Sequence, residues 1–288
     1  MILLSRMLPF LALFSFPLLA YGQETSPSAE LAKPRVLVSN DDGWSSKGLS
    51  ALVAELSTFC EVVVCAPAEN QSGKSHASEI FGKQLSATQI EVEGAQVAWA
   101  LTGTPADAVT FGLLQLGQEK PFDCVVTGIN AGANVGEISH YSGTVGAAME
   151  AAGRGYPAIA VSQQARSGFK QSAAFAGRFL RKLLAEGPGI GVVYSINVPP
   201  FKEGVSPSVV FAPMEGRYLR IKGFKSGEPE GKTISVRAQL DFSPPLPPEG
   251  SDTRAFLKGA ITVTPLAWDW THTKSLARLK SWDTEWSE

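Results

Sequence analysis

The sequence predicts an α/β protein with a Rossmann-like, three-layer core on a parallel sheet, followed by a C-terminal β-hairpin. Short, continuously apolar runs alternate with segments whose apolar residues recur at helical spacing. Such runs are typical of parallel strands covered by helices on both faces. The last third changes to a period of two around a Gly/Pro-rich turn, which indicates an exposed antiparallel ribbon.

The elements follow in order. Pro34–Asn40 is an apolar strand, Leu49, Leu52, Val53 and Leu56 repeat as one helix face, and Glu61–Pro67 is a second strand. The same alternation then predicts helix Pro105–Leu116, strand Phe122–Gly128, helix Gly143–Gly153, strand Ala158–Ser162, helix Gly168–Glu186 and strand Val192–Val198. Ligands of such sheets bind at the carboxyl ends of the strands.

The C-terminal part begins with the hairpin. Tyr218–Phe224 and Lys232–Leu240 alternate around the turn Ser226–Gly231, and a short helix near Thr253 precedes a strand at Ala260–Thr264. Because a two-stranded ribbon is only marginally stable alone, we expect it to pack on the core or on another subunit.

Composition excludes several classes of protein. The 288 residues are 44% hydrophobic and 18% charged, with 25 basic and 27 acidic groups and a net charge of -2. A disordered chain is more polar, and a protein that binds a nucleic-acid polymer is more basic. We expect the three cysteines to be buried thiols, with a Cys60–Cys65 or Cys65–Cys124 bridge as the alternative.

The N-terminus has the three parts of a secretory signal peptide. Arg6 precedes an apolar run from Leu8 to Ala20, and small residues follow up to Gly22. We therefore expect a signal peptide at 1–22, a linker at 23–33, a catalytic core at 34–200, and a hairpin and oligomerisation arm at 201–288. The mature protein is expected to be exported to the periplasm without a stable membrane span. An uncleaved anchor and a cytoplasmic location are the alternatives.

Two adjacent carboxylates end the first strand. Asp41 and Asp42 repel each other unless a cation or a shared proton lies between them, and Gly43 follows in the loop. Oxygen ligands suit Mg²⁺, Mn²⁺ or Ca²⁺ better than Zn²⁺. The pair therefore predicts a divalent metal site, and a turn that caps the next helix is the alternative.

The loop Ala68–Ser75 follows the second strand and fits a permissive phosphate-binding P-loop. A P-loop must open a helix, however, whereas the alternation at Thr88–Val92 and the turn residues around Gly82 predict strand and turn. Ser72 as an oxygen ligand or phosphate donor is the better interpretation.

A glycine-rich loop follows the strand Phe122–Gly128. Asn130 and Asn134 supply neutral oxygens there, and Ser142, Gly143 and Thr144 place hydroxyls and amides at a helix N-terminus, a natural cradle for phosphate. Of the three histidines, His76, His140 and His272, any could protonate a leaving oxygen, although solvated loop histidines are the simpler interpretation.

Together these loops resemble the SurE survival-protein family of metal-dependent nucleotide phosphatases. The matching stretches are SNDDG at 39–43, NQSG at 70–73, TGTPAD at 102–107, GINAGANVG at 128–136, YSGTVGAAME at 141–150, PAIAVS at 157–162 and AITVTPL at 260–266. The N-terminal leader and the segment KSHASEI at 74–80 depart from the family pattern.

The resemblance implies a C-terminal arm exchanged between subunits of a homodimer or homotetramer. It also implies one divalent metal ion per subunit, held by Asp41, Asp42, Ser72 and Asn130. We expect a metal-dependent phosphomonoesterase, with Asp41 and Asp42 catalytic, acting on nucleoside 5′/3′-monophosphates and on short polyphosphate. Gly43, Asn134, Ser142, Gly143 and Thr144 are the expected substrate-binding residues. An exported nucleotide- or phosphate-binding protein without turnover is the alternative.

Overall fold

Strands and helices alternate as predicted in the computed structural model, which describes residues 32–166, 168–200, 207–243 and 245–282. Up to residue 200 the strands are β1 Arg35–Ser39, β2 Glu61–Pro67, β3 Ala87–Ile90, β4 Val97–Leu101, β5 Cys124–Ala131, β6 Ala158–Gln163 and β7 Val192–Val198. The helices of that part are α1 Lys47–Leu56, α2 Pro105–Phe111, α3 Gly143–Gly153 and α4 Phe169–Glu186. The later elements are β8 Val209–Phe211, β9 Arg220–Glu230, β10 Thr233–Asp241, α5 Asp252–Leu257, β11 Ile261–Ala267 and α6 Thr273–Leu279.

Nine of these strands form one sheet in the order β3-β4-β2-β1-β5-β6-β7-β11-β8. The run from β4 to β7 is parallel, whereas β3 and β11 pair antiparallel to β4 and β7. The chain builds the sheet outward from β1 through β2 to β4 and then returns to place β5 on the other side of β1. The strand order therefore reverses between β1 and β5, which is where open α/β sheets bind their ligands.

Helices cover both faces of the sheet, so the predicted three-layer α/β core is confirmed. In β1, Val36 and Val38 pack with α1 and α4 on one face, while Leu37 packs with α2 and α3 on the other. The fully buried strand residues explain why the strands are continuously apolar rather than alternating.

Several boundaries differ from the prediction. The predicted helix Pro105–Leu116 is α-helical only to Phe111 and continues as a π-helical turn, Gly112–Leu116. Strand β5 runs on to Ala131, so Asn130 lies at the end of a strand rather than in a loop. The predicted turn Ser226–Gly231 is mostly strand, because β9 extends to Glu230 and pairs with β10 over that stretch.

Among the strands and α-helices of the described chain, three lack a prediction altogether, namely β4, β8 and α6. Strand β4 is short and contains two alanines, which are poor strand formers. Strand β8 has three residues and depends on pairing with β11, and α6 has no buried residue. Local pattern is therefore weak in all three.

The hairpin of β9 and β10 is exposed along almost its whole length. It presents large apolar side chains to solvent, namely Ile221, Phe224, Ile234, Val236, Leu240 and Phe242. The C-terminal segment around α6 does the same with Trp268, Trp270, Leu276, Leu279 and Trp282. A group of large exposed apolar side chains in one part of the chain is typical of protein interfaces.

All three cysteines are buried free thiols, as expected, and neither alternative bridge is present. Burial raises the pKa of Cys60 and Cys65 to about 12. The predicted signal peptide at 1–22 and linker residues 23–31 lie outside the described residues. No helix among the residues that the structure does describe is long and apolar enough to cross a membrane.

Candidate active site

A cleft of about 340 Å³ opens at the carboxyl edge of the sheet, where the strand order reverses. It gathers residues that are far apart in the chain, because the loops after β1, β2, β5 and β6 all end at this edge. Its lining residues are Asp41, Asp42, Asn70, Ser72, Gly73, Asn130, Ala131, Asn134, Ile138, Tyr141, Ser142 and Arg166.

Asp41 forms the buried end of the cleft, with only 2% of its surface exposed. The Thr144 hydroxyl, in the first turn of α3, donates a hydrogen bond to Asp41 Oδ1. Burial raises the pKa of Asp41 from 3.8 to about 6, against that hydrogen bond, which lowers it; the charge of Asp42 adds to the increase. An ionised Asp41 is therefore costly unless positive charge reaches it.

Asp42 is half-buried beside it. Its Oδ2 accepts a hydrogen bond of 3.1 Å from the Ala131 amide at the end of β5, and its Oδ1 lies 3.4 Å from Asn70 Nδ2. Burial raises the pKa of Asp42, against the Ala131 hydrogen bond and the charge of Arg166, which both lower it. Asp42 thus joins the β1 loop to the end of β5.

The loop that carries Ser72 is held by hydrogen bonds to the backbone on both sides of that residue. The Gln71 amide donates to the Asp41 carbonyl at 2.7 Å, and the Ser75 amide and hydroxyl donate to the carbonyls of Tyr141 and His140. Helix α3 approaches this loop so closely that a Cβ on Gly146 would lie 2.2 Å from the Ser75 carbonyl oxygen. A side chain at position 146 is therefore incompatible with the observed loop position.

The two asparagines of the glycine-rich loop are held by their amide nitrogens. Asn130 Nδ2 donates to the Gly132 carbonyl at 2.9 Å, and Asn134 Nδ2 donates to the Ser162 hydroxyl at 2.8 Å. No hydrogen bond within the described chain occupies the side-chain oxygen of either residue, so both oxygens are available to a ligand of the cleft.

Of the residues predicted to form a phosphate cradle, one lines the cleft and the others lie behind its lining. Ser142 lines the cleft and caps α3, accepting from the Val145 amide at 3.1 Å. Gly143 and Thr144 are not among the lining residues; they lie behind Asp41, and a Cβ on Gly143 would approach Asp41 Cβ to 2.8 Å. Gly43 is also set back, with its carbonyl bonded to Asn40 Nδ2 and a positive φ of 93°.

The residues of the cleft fit a hard divalent cation. Within the described ranges neither Asp41 nor Asp42 forms an ion pair, so two buried carboxylates lack a contacting countercharge. No three His, Cys, Asp or Glu side chains of the described chain gather into a metal cluster, so a cation would also need neutral oxygens. Ser72 and Asn130 line the cleft beside the two carboxylates and provide them.

Sequence reasoning missed three polar residues of the cleft, Asn70, Tyr141 and Arg166. The signal that could have found them is positional, since they lie in the segments that follow β2, β5 and β6 at the same carboxyl edge. The P-loop alternative is wrong, because the described chain from Ala68 to β3 contains turns and no helix.

None of the three histidines is among the residues that line the cleft. His76 Nε2 pairs with Glu150 Oε2 at 2.8 Å, which lowers the pKa of Glu150 to about 2 despite partial burial. His140 contacts the Ser75 hydroxyl through its carbonyl, and the His272 side chain caps α6. The interpretation of the histidines as leaving-group acids therefore has no support from their positions.

The fold and the site define a doubly wound α/β protein with an acidic, oxygen-lined cleft at its strand switch point. Comparison with known proteins narrows this class. The family model described as survival protein SurE matches residues 36–219. The chain therefore belongs to the SurE family, as its motifs predict.

Individual relatives cover most of the chain. It is 37% identical over 254 residues to the 5′-nucleotidase SurE of Geotalea uraniireducens (strain Rf4), covering 86% of this chain and 99% of the relative. It is 38% identical over 246 residues to the 5′-nucleotidase SurE of Methanopyrus kandleri, covering 82% and 92%. The crystal structure of the SurE protein from Aquifex aeolicus superposes with a TM-score of 0.75 at 32% identity, over 86% of this chain and 98% of that one.

Proposed function

We propose that this chain is a metal-dependent phosphomonoesterase that hydrolyses nucleoside 5′/3′-monophosphates to nucleoside and phosphate, with short polyphosphate as a further substrate. The observation that carries the proposal is the pair Asp41 and Asp42, whose pKa values are raised by burial in a cleft that the neutral oxygens of serine and asparagine side chains also line. Perturbed carboxylates in a cleft are typical of catalytic sites. The names of the relatives, 5′-nucleotidase SurE, support the nucleotide as substrate.

In this proposal Asp41, Asp42, Ser72 and Asn130 hold one Mg²⁺ or Mn²⁺ ion per subunit. Such an ion supplies positive charge against phosphoryl oxygens and lowers the pKa of water. Thr144 holds Asp41 through its hydroxyl, and the Ala131 amide holds Asp42. Both carboxylates are therefore oriented by the protein before any ligand arrives.

Substrate is bound by the remaining lining groups. Ser142 and Asn134 present a hydroxyl and an amide oxygen to the cleft, and the α3 N-terminus adds its positive dipole end. Water is the favoured nucleophile for in-line attack, because attack by Asp41 would remove a ligand from the proposed metal site.

The test is the release of inorganic phosphate from nucleoside monophosphates, with Mg²⁺ or Mn²⁺ and then with a chelator. We expect release with metal and its loss with chelator, restored by excess metal. An exported nucleotide-binding protein without turnover would bind the nucleotide yet release no phosphate under either condition. That result would replace the enzymatic proposal with the alternative.

We also propose that the protein assembles as a homodimer or homotetramer through its C-terminal part. The exposed apolar side chains of the hairpin and of the α6 segment support this, since a monomer would leave them in water. Light scattering should therefore give at least twice the mass of one chain. An active monomer at working concentration would contradict the exchange of the arm.

Export is proposed from the composition of residues 1–22. A fusion of Met1–Gln23 to an export reporter should carry the reporter out of the cytoplasm to the periplasm. Substituting Asp for apolar residues between Leu8 and Ala20 is the matched control and should abolish transport. A cytoplasmic mature protein that retains Met1 would contradict the proposal.

A further inference from the structure

Arg166 supplies the positive side chain of the cleft. It lies in the loop between β6 and α4, at the carboxyl edge of the sheet, and it is exposed to solvent. Among the lining residues that the structure describes, it is the only lysine or arginine.

The guanidinium of Arg166 has no polar partner among the residues that the structure describes. In the described part of the chain it forms no hydrogen bond and no ion pair. It lines the same cleft as Asp42 without forming an ion pair with that carboxylate. Arg166 therefore lines a cleft with two carboxylates and stabilises the described part of the chain through neither a hydrogen bond nor an ion pair.

The charge balance of the cleft indicates that a bound phosphoryl group needs a positive partner besides the metal ion. A phosphate monoester carries a charge between about −1.5 and −2 at pH 7, because its second pKa is near 6. A divalent cation would be largely neutralised by Asp41 and Asp42, so it leaves the charge of the phosphoryl group without a partner. A guanidinium binds such a group through two parallel hydrogen bonds, which neither serine nor asparagine can match.

We propose that Arg166 binds two non-bridging oxygens of the substrate's terminal phosphoryl group and thereby selects monoesters over diesters. This inference rests on the proposed function, since it assigns a ligand to the same cleft. A terminal phosphate offers three non-bridging oxygens and nearly two charges, so one oxygen can face the carboxylate end while two meet the guanidinium. A diester has only two such oxygens and a single charge, and it cannot satisfy both ends of the cleft.

The test compares Arg166→Gln and Arg166→Lys with the wild-type protein in saturating Mg²⁺ or Mn²⁺. The matched control is Lys170→Gln, which removes an exposed positive charge four residues away that does not line the cleft. For Arg166→Gln we expect the KM for a nucleoside monophosphate and the dissociation constant of inorganic phosphate to rise by roughly 10-fold or more. For Arg166→Lys both constants should lie between those of wild type and those of Arg166→Gln, because lysine keeps the charge and loses the paired hydrogen bonds.

Three further readouts separate binding from a structural role. The thermal midpoint of Arg166→Gln should equal that of wild type, because the guanidinium has no hydrogen bond or ion pair in the described chain to lose. The wild-type KM should also fall as the pH rises through the second phosphate pKa near 6, and this dependence should weaken in Arg166→Gln. The ratio of monoester to diester turnover should fall in the same variant.

The outcomes distinguish this inference from the proposed function. Wild-type turnover with unchanged KM and phosphate affinity in Arg166→Gln would overturn the role of Arg166 and leave the phosphomonoesterase intact. Phosphate binding that weakens in Arg166→Gln, in a protein that hydrolyses no monoester, would support the Arg166 site and overturn the enzymatic activity.

Discussion

Replacing Asp41 by Asn should lower the rate of phosphate release by roughly 10²-fold or more while leaving the metal-free protein at least as stable as wild type. The rate falls because an amide is a weaker ligand for a hard cation than a carboxylate. Stability is retained because Asn has nearly the same shape, can still accept the Thr144 hydrogen bond, and carries no charge to be buried beside Asp42.

The same substitution should remove a pH dependence from the metal-free protein. Since the pKa of Asp41 is 3.8 in the unfolded reference and about 6 in the fold, the folded state holds this proton more tightly. Its stabilising contribution is fully present below pH 3.8 and is lost as the pH rises through about 6. The loss amounts to roughly 3 kcal/mol. Urea unfolding in chelator at pH 5 and pH 7.5 should show about half of this loss in wild type, because the other half already occurs below pH 5, and less of it in Asp41→Asn.

Ser72→Ala is the informative companion variant, because it removes a neutral ligand and no charge. It should raise the metal concentration needed for half-maximal rate more than it lowers the saturated rate. Wild-type turnover of Asp41→Asn in chelator-treated buffer would contradict the metal mechanism. Unchanged metal dependence of Ser72→Ala would remove only Ser72 from the ligand set.

Gly146→Ala should reduce kcat/KM by about 10²-fold although residue 146 does not line the acidic cleft. The new Cβ would lie 2.2 Å from the Ser75 carbonyl oxygen and 2.9 Å from His76 Cα, which are backbone atoms that cannot rotate away. Either α3 or the Ser72 loop must therefore move. Displacement of the loop by about 1 Å would disturb the relation of Ser72 to the carboxylates and cost this much activity.

Stability and activity should separate in this variant. Alanine is a better helix former than glycine by about 1 kcal/mol, which offsets part of the strain, so the protein should remain folded. Gly82→Ala is the control. Gly82 lies between β2 and β3, in the same segment as Ser72 and Ser75, and no atom lies within 4 Å of its new Cβ. Equal kcat/KM for Gly146→Ala and Gly82→Ala would show that the contact between α3 and the loop does not position the site.

The core could be predicted from the sequence because its local and tertiary preferences agree. The residues of β2, α3 and β7 form one apolar pattern each, and all three have the predicted bounds. Strand β8 could not be predicted, since three residues gain strand structure only by pairing with β11. The hairpin strands continue through residues that favour turns, because pairing between β9 and β10 outweighs the local preference there.

The site was predictable to the extent that it follows the ends of strands. Asp41, Ser72 and Asn130 come together because their strands share an edge. The roles of Gly143 and Thr144 depend on the direction in which α3 leaves that edge, and spacing along the chain does not determine this direction. Arg166 was missed because a single arginine in a loop has no pattern of its own.

The position of β11 between β7 and β8 means that a strand from near the end of the described chain completes the sheet. Synthesis proceeds from the N-terminus, so β7 is complete long before β11 exists. The outer edge of β7 therefore has no partner strand until the hairpin, α5 and β11 have been made. An open edge beside the apolar residues Val193 and Ile196 is a template for aggregation. A chain truncated before Ile261 keeps that edge permanently. The C-terminal strand therefore covers this edge only when the chain has been made as far as β11, and a chain kept unfolded until then avoids the hazard.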